Sequence, residues 1–277
     1  MTIDQIIEKA LVEDIGDGDH TSLSVIPVTT KGKAKLIIKD TGILAGISIA
    51  EKIFHKVDPE LKLTVLLNDG ASVKHGDIAF YIEGSSTSIL TSERLVLNFM
   101  QRMSGIATST NELVTLIKGT KAKILDTRKT TPLLREIEKM SVRIGGGYNH
   151  RMGLYDMIMI KDNHIDFAGG IEKAITSTHK YLKIKNKNLK IEIEARNLGD
   201  VKEIIKVGGI NRIMLDNFTP DKLKEAVDFI NGKYESEASG GIKKENIRTY
   251  AETGVDFISV GAITHHIRSL DMSLKAV

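Results

Sequence analysis

The chain of 277 residues contains no cysteine, which excludes disulfide bonds and metal sites built from thiolates. This absence fits a reducing compartment, and we expect a cytoplasmic protein. Aromatic residues make up only 5% and do not interleave with the basic residues, which disfavours a nucleic-acid-binding surface. No apolar run approaches the roughly 20 residues of a membrane-spanning helix. Residues 1–16 have the spacing of an amphipathic helix and not the character of a signal peptide.

The chain has the composition of a globular protein, with 41% hydrophobic and 27% charged residues. Before residue 105, short strand-like runs occupy 33–40, 62–67 and 77–84, and turn residues separate two of them. Residues 47–57 have the apolar spacing of a helix. These patterns predict a small α+β domain over residues 1–105.

After residue 105, strand-like and helix-like runs alternate, which predicts repeated βα units and a parallel sheet. The strand-like runs end near Asp126, Lys161, Glu194, Asp216, Ser239 and Gly261. One helix is predicted from near Pro132 to just before Gly145, and another after Thr219-Pro220. An open or closed α/β barrel over residues 106–277 is the simplest architecture, although six strands fall short of the usual eight.

Cations are concentrated in one stretch of this second domain. Residues 128–161 contain seven lysines and arginines against three acids, a local balance of +4, while the whole chain carries only +3. The candidate anion-binding residues are Arg128, Lys129, His150, Arg151 and Lys161. Because ligands of such barrels bind at the carboxyl ends of the strands, these residues predict a pocket for a small polyanion.

Two carboxylates and two glycine-containing loops follow other strands. Glu194 and Asp216 suit Mg²⁺, sugar hydroxyls or a cationic sugar; the alternative is a structural ion pair of Glu194 with Lys161 or Arg151. Residues 239–241 and 260–262 can bring backbone N–H groups close to a phosphate, or they are ordinary tight turns.

Arg94 forms a polar stripe with Asn98 and Gln101 on the helix-like run 88–105. The stripe is either a solvent-exposed face of the helix or a face from which Arg94 reaches a site in a neighbouring subunit.

Eight segments in the same order resemble one known family, the quinolinate phosphoribosyltransferases, also called nicotinate-nucleotide pyrophosphorylases (carboxylating). The segments are EDIGDGDHTS (13–22), SERLVLNFMQRMSGIAT (92–108), DTRKTTP (126–132), GGGYNHRMGLYDMIMIKDNH (145–164), IEIEA (191–195), MLDN (214–217), ASGG (238–241) and TGVDFISVGAITH (253–265). The resemblance implies an N-terminal α/β sandwich domain followed by an open, TIM-like α/β barrel, with the tail after about residue 262 on the first domain.

The resemblance also implies an activity and residue roles. The family joins quinolinate to phosphoribosyl pyrophosphate with Mg²⁺, giving nicotinate mononucleotide, pyrophosphate and CO₂ in NAD biosynthesis. By motif, the cations listed above, with Thr127, would bind the quinolinate carboxylates and the phosphates, and Arg94 would cross to the neighbouring site of a homodimer or larger homo-oligomer. Lys161, Glu194 and Asp216 would be catalytic, and the two acids would bind Mg²⁺, directly or indirectly. The sugar phosphate would lie on Ser239, Gly240, Gly241, Val260, Gly261 and Ala262.

Two positions depart from the family pattern, and three alternative functions stay open. Leu133 stands where many members have glycine, and Arg196 stands where an acid is common. The alternatives are a related phosphoribosyltransferase acting on a different base, an aldolase-like barrel that forms a Schiff base on Lys161, and a polyanion-binding protein without activity.

Overall fold

The computed structural model describes residues 1–277, which divide into two compact units. The first unit comprises Met1–Glu112, Thr130–Gly146 and Ile263–Val277, and the second comprises Leu113–Lys129 and Gly147–Ala262. The segment after residue 262 belongs to the first unit, where the tail was expected, and residues 130–146 belong to it as well. None of the helices is both long enough and apolar enough to cross a membrane.

The first unit is built on an antiparallel sheet of four strands in the order β12-β1-β5-β3. Along β1, Ala34, Leu36 and Ile38 are buried and alternate with more exposed residues, as expected for a strand with one face on the core. Its elements are α1 (Ile3–Ile15), α2 (His20–Val25), β1 (Lys31–Ile38), β2 (Gly42–Ile43), α3 (Ile47–Val57), β3 (Lys62–Val65), β4 (Ser72–Val73), β5 (Ile78–Ser85), most of α4 (Ser86–Leu116), α5 (Arg135–Ile144), most of α11 (Ala262–His265) and β12 (Met272–Ala276). The C-terminal strand β12 pairs antiparallel with β1.

Helix α5 explains why residues 130–146 belong to the first unit. Its apolar side buries Ile137 in the core of that unit. Just past its end, a Cβ atom on Gly145 would lie only 2.4 Å from the carbonyl oxygen of Ala107, so the close approach to α4 requires glycine. The helix begins at Arg135 and not near Pro132, because Leu133 has a left-handed backbone (φ 69°) that a right-handed helix cannot include.

The second unit is a sheet of six parallel strands in the order β6-β11-β10-β9-β8-β7. Its elements are β6 (Lys123–Leu125), β7 (Ile158–Ile160), α6 (Asp162–Ala168), α7 (Ile171–Ile184), β8 (Ile191–Ala195), α8 (Leu198–Val207), β9 (Arg212–Asp216), α9 (Pro220–Ile230), β10 (Glu235–Ser239), α10 (Ile247–Ala251) and β11 (Phe257–Ser259). No pairing joins the end strands β6 and β7, so the sheet is open. The six predicted strands and the parallel arrangement are confirmed.

Candidate functional site

The parallel sheet of the second unit brings its strand ends to one edge. Because all six strands run in the same direction, the residues at their carboxyl ends share that edge. Each strand contributes a polar residue or a turn there: Asp126 after β6, Lys161 after β7, Glu194 in β8, Asp216 at the end of β9, Ser239 at the end of β10, and Val260 after β11. The polar residues that were predicted separately at the strand ends therefore lie along one edge of the sheet.

Lys161 and Glu194 form an ion pair at this edge. The Lys161 Nζ lies 3.3 Å from Glu194 Oε2, with the lysine side chain 47% exposed and the glutamate side chain 6% exposed. Burial raises the pKa of the Glu194 carboxyl; the Lys161 charge opposes this rise, and the charge of Asp216 adds to it. The ion pair considered from the sequence is therefore present. The exposed cation, beside a largely buried carboxylate, can also bind a substrate that carries negative charge.

Asp216 and the loop after β10 are held together through Asn217, which the sequence analysis did not single out as a site residue. The Asn217 Nδ2 donates to Asp216 Oδ2 at 2.5 Å, and the Asn217 N–H donates to the Ser239 carbonyl at 2.8 Å. Gly240 has φ +93°, and a Cβ atom there would lie 2.2 Å from Asn217 Oδ1. Only glycine fits this position, so the close packing of the two loops explains why residue 240 is glycine.

The two glycine-containing loops differ in their relation to the following helices. Six residues separate Gly240 from α10, which begins at Ile247, so this loop does not lead directly into a helix. A Cβ atom on Gly241 would meet nothing within 4 Å, which leaves open space beside the backbone. After β11, Gly261 directly precedes α11, as expected.

Two arginines of the cationic stretch lie close enough to influence each other. Burial lowers the pKa of Arg151, and the positive charge of Arg128 lowers it further. The Arg151 Nη1 donates to the Met157 carbonyl at 3.3 Å, which orients its guanidinium. In the preceding loop, the Lys129 N–H donates to Thr127 Oγ1 at 3.0 Å. Neighbouring guanidinium groups repel each other, and a ligand with two negative charges would relieve that repulsion.

His150 lies in a different environment from the one its sequence context indicated. Its side chain is only 6% exposed, and its Nε2 lies 2.9 Å from Glu192 Oε2 and 3.4 Å from Glu237 Oε2. Burial alone would lower the pKa of His150, but the two carboxylates outweigh burial and raise that pKa to about 9. The imidazole is thus engaged by protein carboxylates. Its predicted contact with a substrate anion stays a prediction.

Glu237 and Arg212 complete this buried cluster, and neither was predicted from the sequence. The Arg212 Nη1 lies 2.9 Å from Glu237 Oε2, and its Nη2 lies 2.9 Å from Glu235 Oε2. The alternation of acids and small residues in ESEAS (235–239) was the available signal, since Glu235, Glu237 and Ser239 share one face of β10. Burial and repulsion from Glu237 raise the pKa of Glu192 to about 7.

Two groups of residues have the donor atoms for a metal ion. His150, Glu192 and Glu237 place their ligand atoms within 4.8 Å of one another. However, the guanidinium of Arg212 already contacts Glu237 and supplies positive charge there. Glu194 and Asp216, at the edge of the sheet, offer the carboxylate oxygens that Mg²⁺ prefers, and their charges influence each other. The second pair therefore fits Mg²⁺ better.

Arg94 belongs to the first unit, where it lies on α4. It lies on the exposed side of α4 together with Asn98. The third member of the predicted stripe, Gln101, instead donates to the Met272 carbonyl at 3.0 Å. The role of Arg94 in a neighbouring subunit stays a prediction.

An open parallel α/β sheet whose strand ends carry paired cations and carboxylates is typical of enzymes that act on phosphorylated or otherwise anionic small molecules. Comparison with known proteins makes the class specific. Residues 19–104 match the family model described as "Quinolinate phosphoribosyl transferase, N-terminal domain", and residues 106–275 match the model of the C-terminal domain.

Relatives match almost the whole chain. It is 46% identical over 285 residues to "Quinolinate phosphoribosyltransferase [decarboxylating] 1b" of Nicotiana tabacum, covering 98% of this chain and 81% of the relative. It is 39% identical to "Probable nicotinate-nucleotide pyrophosphorylase [carboxylating]" of Bacillus subtilis (strain 168), covering 99% and 93%. The crystal structure of NadC from Streptococcus pyogenes superposes with a TM-score of 0.94 at 36% identity, covering 99% and 97%. The chain belongs to the quinolinate phosphoribosyltransferase family, and the predicted family and fold class are confirmed.

Proposed function

We propose that this protein transfers the phosphoribosyl group of phosphoribosyl pyrophosphate to quinolinate, with loss of CO₂, and forms nicotinate mononucleotide for NAD biosynthesis. The observation that carries the proposal is the single edge where β7, β8 and β9 end in Lys161, Glu194 and Asp216, in a chain that matches both domain models of the family. Arg128 and Arg151 provide paired positive charge for a dicarboxylate.

The proposed reaction needs little from the protein beyond charge and position. The C1–oxygen bond of the sugar breaks, its electron pair leaves with pyrophosphate, and the pyridine nitrogen of quinolinate bonds to C1. The carboxylates of Glu194 and Asp216 stabilise the positive charge that develops on the ribose. The C–CO₂ bond next to the positively charged ring nitrogen then breaks and CO₂ leaves. The electron pair stays on that ring carbon, where the neighbouring positive charge stabilises it, and a proton from water then binds to this carbon to complete the product.

Other residues bind and orient the two anionic substrates. Arg128, Lys129, Arg151 and Lys161 offset the charges of the quinolinate carboxylates and of the phosphates, and the backbone around Gly241 and Gly261 receives the sugar phosphate. Mg²⁺, held by Glu194 and Asp216, would supply a Lewis acid that offsets the charge of the pyrophosphate. The predicted binding of a substrate anion by His150 is part of this proposal, and its ring also contacts Glu192 and Glu237.

We further propose a homodimer or larger homo-oligomer in the cytoplasm, with Arg94 contributed to the neighbouring site. The exposed position of Arg94 on α4 is compatible with this role. Sedimentation analysis tests the assembly. Mixing Arg94→Ala chains with Lys161→Met chains tests the crossing, because each variant alone has lowered activity and a crossed heterodimer recovers one intact site.

The Schiff-base alternative has less support. A lysine nucleophile of this kind is normally desolvated, whereas the Lys161 side chain is 47% exposed and its Nζ is paired with Glu194. A related transferase that acts on another base would need a similar arrangement of charges, so the assay has to distinguish it from the proposed activity.

The test is to mix purified protein with quinolinate, phosphoribosyl pyrophosphate and Mg²⁺, and to follow nicotinate mononucleotide and CO₂. We expect both products in equal amounts and none without phosphoribosyl pyrophosphate. Other pyridine and pyrimidine carboxylates serve as competing substrates. Folded protein that produces nothing from quinolinate, or that strongly prefers another base, would contradict the proposal.

A further inference from the structure

We propose that Glu192 and Glu237 are positioning residues, which hold the imidazole of His150 inside the second unit and thereby place Arg151 for binding an anionic substrate. The role assigned to Arg151 rests on the proposed function. The placement itself rests on contacts within the second unit, so it can be tested without any substrate.

The two carboxylates are buried on strands that flank β9. Glu192 lies in β8 and Glu237 in β10, and both are fully inaccessible to solvent. Between them, Arg212 of β9 contacts Glu237 at 2.9 Å. Two buried carboxylates need more than one cation to offset their charges. The imidazole of His150, at 2.9 Å from Glu192 and 3.4 Å from Glu237, is the second partner.

His150 connects this cluster to the backbone of Arg151. The Arg151 N–H donates to His150 Nδ1 at 2.8 Å. On the other side, Asp126, at the end of β6, accepts hydrogen bonds from the His150 N–H and from the side chain of Asn149. The segment from Asn149 to Arg151 is therefore held by groups of three different strands, which a surface loop would not require.

The contact at Nδ1 and the raised pKa of His150 describe different protonation states. An Nδ1 that accepts a hydrogen bond carries no proton, whereas the two carboxylates favour the fully protonated ring. In both states, Nε2 lies within 3.4 Å of a carboxylate oxygen of Glu192 and of Glu237. The carboxylates therefore place the ring in either state, and the hydrogen bond from the Arg151 N–H belongs to the state in which Nδ1 carries no proton.

Arg151 needs such support because Arg128 opposes it. The charge of Arg128 disfavours a second guanidinium nearby, while the charge of Glu192 favours it, and burial adds to the cost. In the absence of substrate, the negative charges of Glu192 and Asp156 offset part of this repulsion. When a dicarboxylate binds, it meets two guanidinium groups that are already close together, which reduces the cost of ordering them.

The test compares Glu192→Gln and Glu237→Gln with Glu235→Gln. All three substitutions preserve size and remove one charge. Glu235 makes a matched control, because it also contacts Arg212 but its side chain is 44% exposed and no contact joins it to His150. Selective labelling with ¹⁵N-arginine reports the backbone amide of Arg151, which Arg151→Lys identifies by loss of its signal.

We expect the Arg151 amide signal to move in Glu192→Gln and in Glu237→Gln but not in Glu235→Gln, with no substrate present. We also expect KM for quinolinate to rise roughly tenfold in the first two variants, with a much smaller change in KM for phosphoribosyl pyrophosphate. An Arg151 signal that stays in place, or that moves equally in the control, would overturn the proposal. Equal changes in both KM values would also overturn it, since they indicate general loosening. Failure of the wild-type protein to form product would refute the proposed function and leave the amide measurement valid.

Discussion

Replacing Lys161 by methionine separates two roles of the cation at the end of β7. The substitution preserves the length of the side chain and removes its charge, which lies 3.3 Å from Glu194 Oε2. If Lys161 binds a substrate anion, one charged hydrogen bond is lost, worth about 1.5–3 kcal/mol. We therefore expect kcat/KM to fall by about tenfold to a hundredfold. Because the lysine is 47% exposed, the loss of stability at neutral pH should be small, and it follows from the higher pKa of the largely buried Glu194.

The same variant should change the pH profile in a defined direction. Burial already raises the pKa of Glu194, and Lys161 opposes that rise. Without Lys161, the pKa of Glu194 rises further, so the carboxylate is lost at a higher pH when the solution is acidified. If the reaction requires ionised Glu194, the acid limb of kcat/KM moves to higher pH.

The assay measures kcat/KM for both substrates across the acid range, with thermal unfolding as a check of the fold. Lys173→Met is the matched control, because Lys173 is an exposed lysine of the neighbouring helix α7. An acid limb that stays in place or moves to lower pH in Lys161→Met would refute the electrostatic link between Lys161 and Glu194. An unchanged kcat/KM would remove Lys161 from the site.

Three further predictions concern stability. Glu138→Gln should cost about 3 kcal/mol, because Glu138 is fully buried and its carboxylate pairs with Arg102; the melting temperature should fall by roughly 5–10 °C. Leu133→Gly should raise the free energy of unfolding in urea by about 0.5–1 kcal/mol. Glycine relieves the left-handed backbone, worth about 1–2 kcal/mol, and this exceeds the cost of the added entropy of the unfolded chain, about 0.5–1 kcal/mol. The leucine side chain is exposed, so its removal costs little packing. Finally, the raised pKa of His150 contributes stability that is fully present below pH 6.5 and is lost as the pH rises through about 9. The free energy of unfolding, measured in urea at each pH, should fall by up to about 3 kcal/mol over this range.

Each of these predictions has its own control. Glu136→Gln removes an exposed acid from the same helix and should leave the melting temperature unchanged; equal losses in both variants would contradict the buried pair. Leu133→Ala keeps the left-handed strain, so a gain equal to that of the glycine variant would disprove strain relief. In His150→Gln, the loss of stability between pH 6.5 and 9 should become shallower, and an unchanged slope would assign the loss to other groups.

Local signals were sufficient for much of the fold. The run 47–57 forms a helix over the predicted residues, and all six strands of the second unit end within a few residues of their predicted positions. These elements have a regular apolar period, so short-range sequence is enough to predict them. Helix α5 was predicted about three residues too early, because the start near Pro132 was inferred from a residue preference and Leu133 adopts a backbone that leucine rarely takes.

The candidate site was predictable in part. Lys161, Glu194 and Asp216 were recognisable because each follows an apolar run, and parallel strands bring such ends to one edge. His150 was recognised but its environment was not, since the partners Glu192 and Glu237 come from strands far apart in the chain. Asn217 and Arg212 had no local signal, because their roles arise from contacts between neighbouring loops and strands.

The sequence by itself determined the periodic elements, the family and the set of charged residues at the strand ends. Only the tertiary structure decided which of these charges face one another, that residues 130–146 belong to the first unit, and that His150 is enclosed by two carboxylates. The reason is physical. Periodicity depends on neighbours along the chain, whereas burial and the pairing of charges depend on groups that only the folded chain brings within a few ångströms.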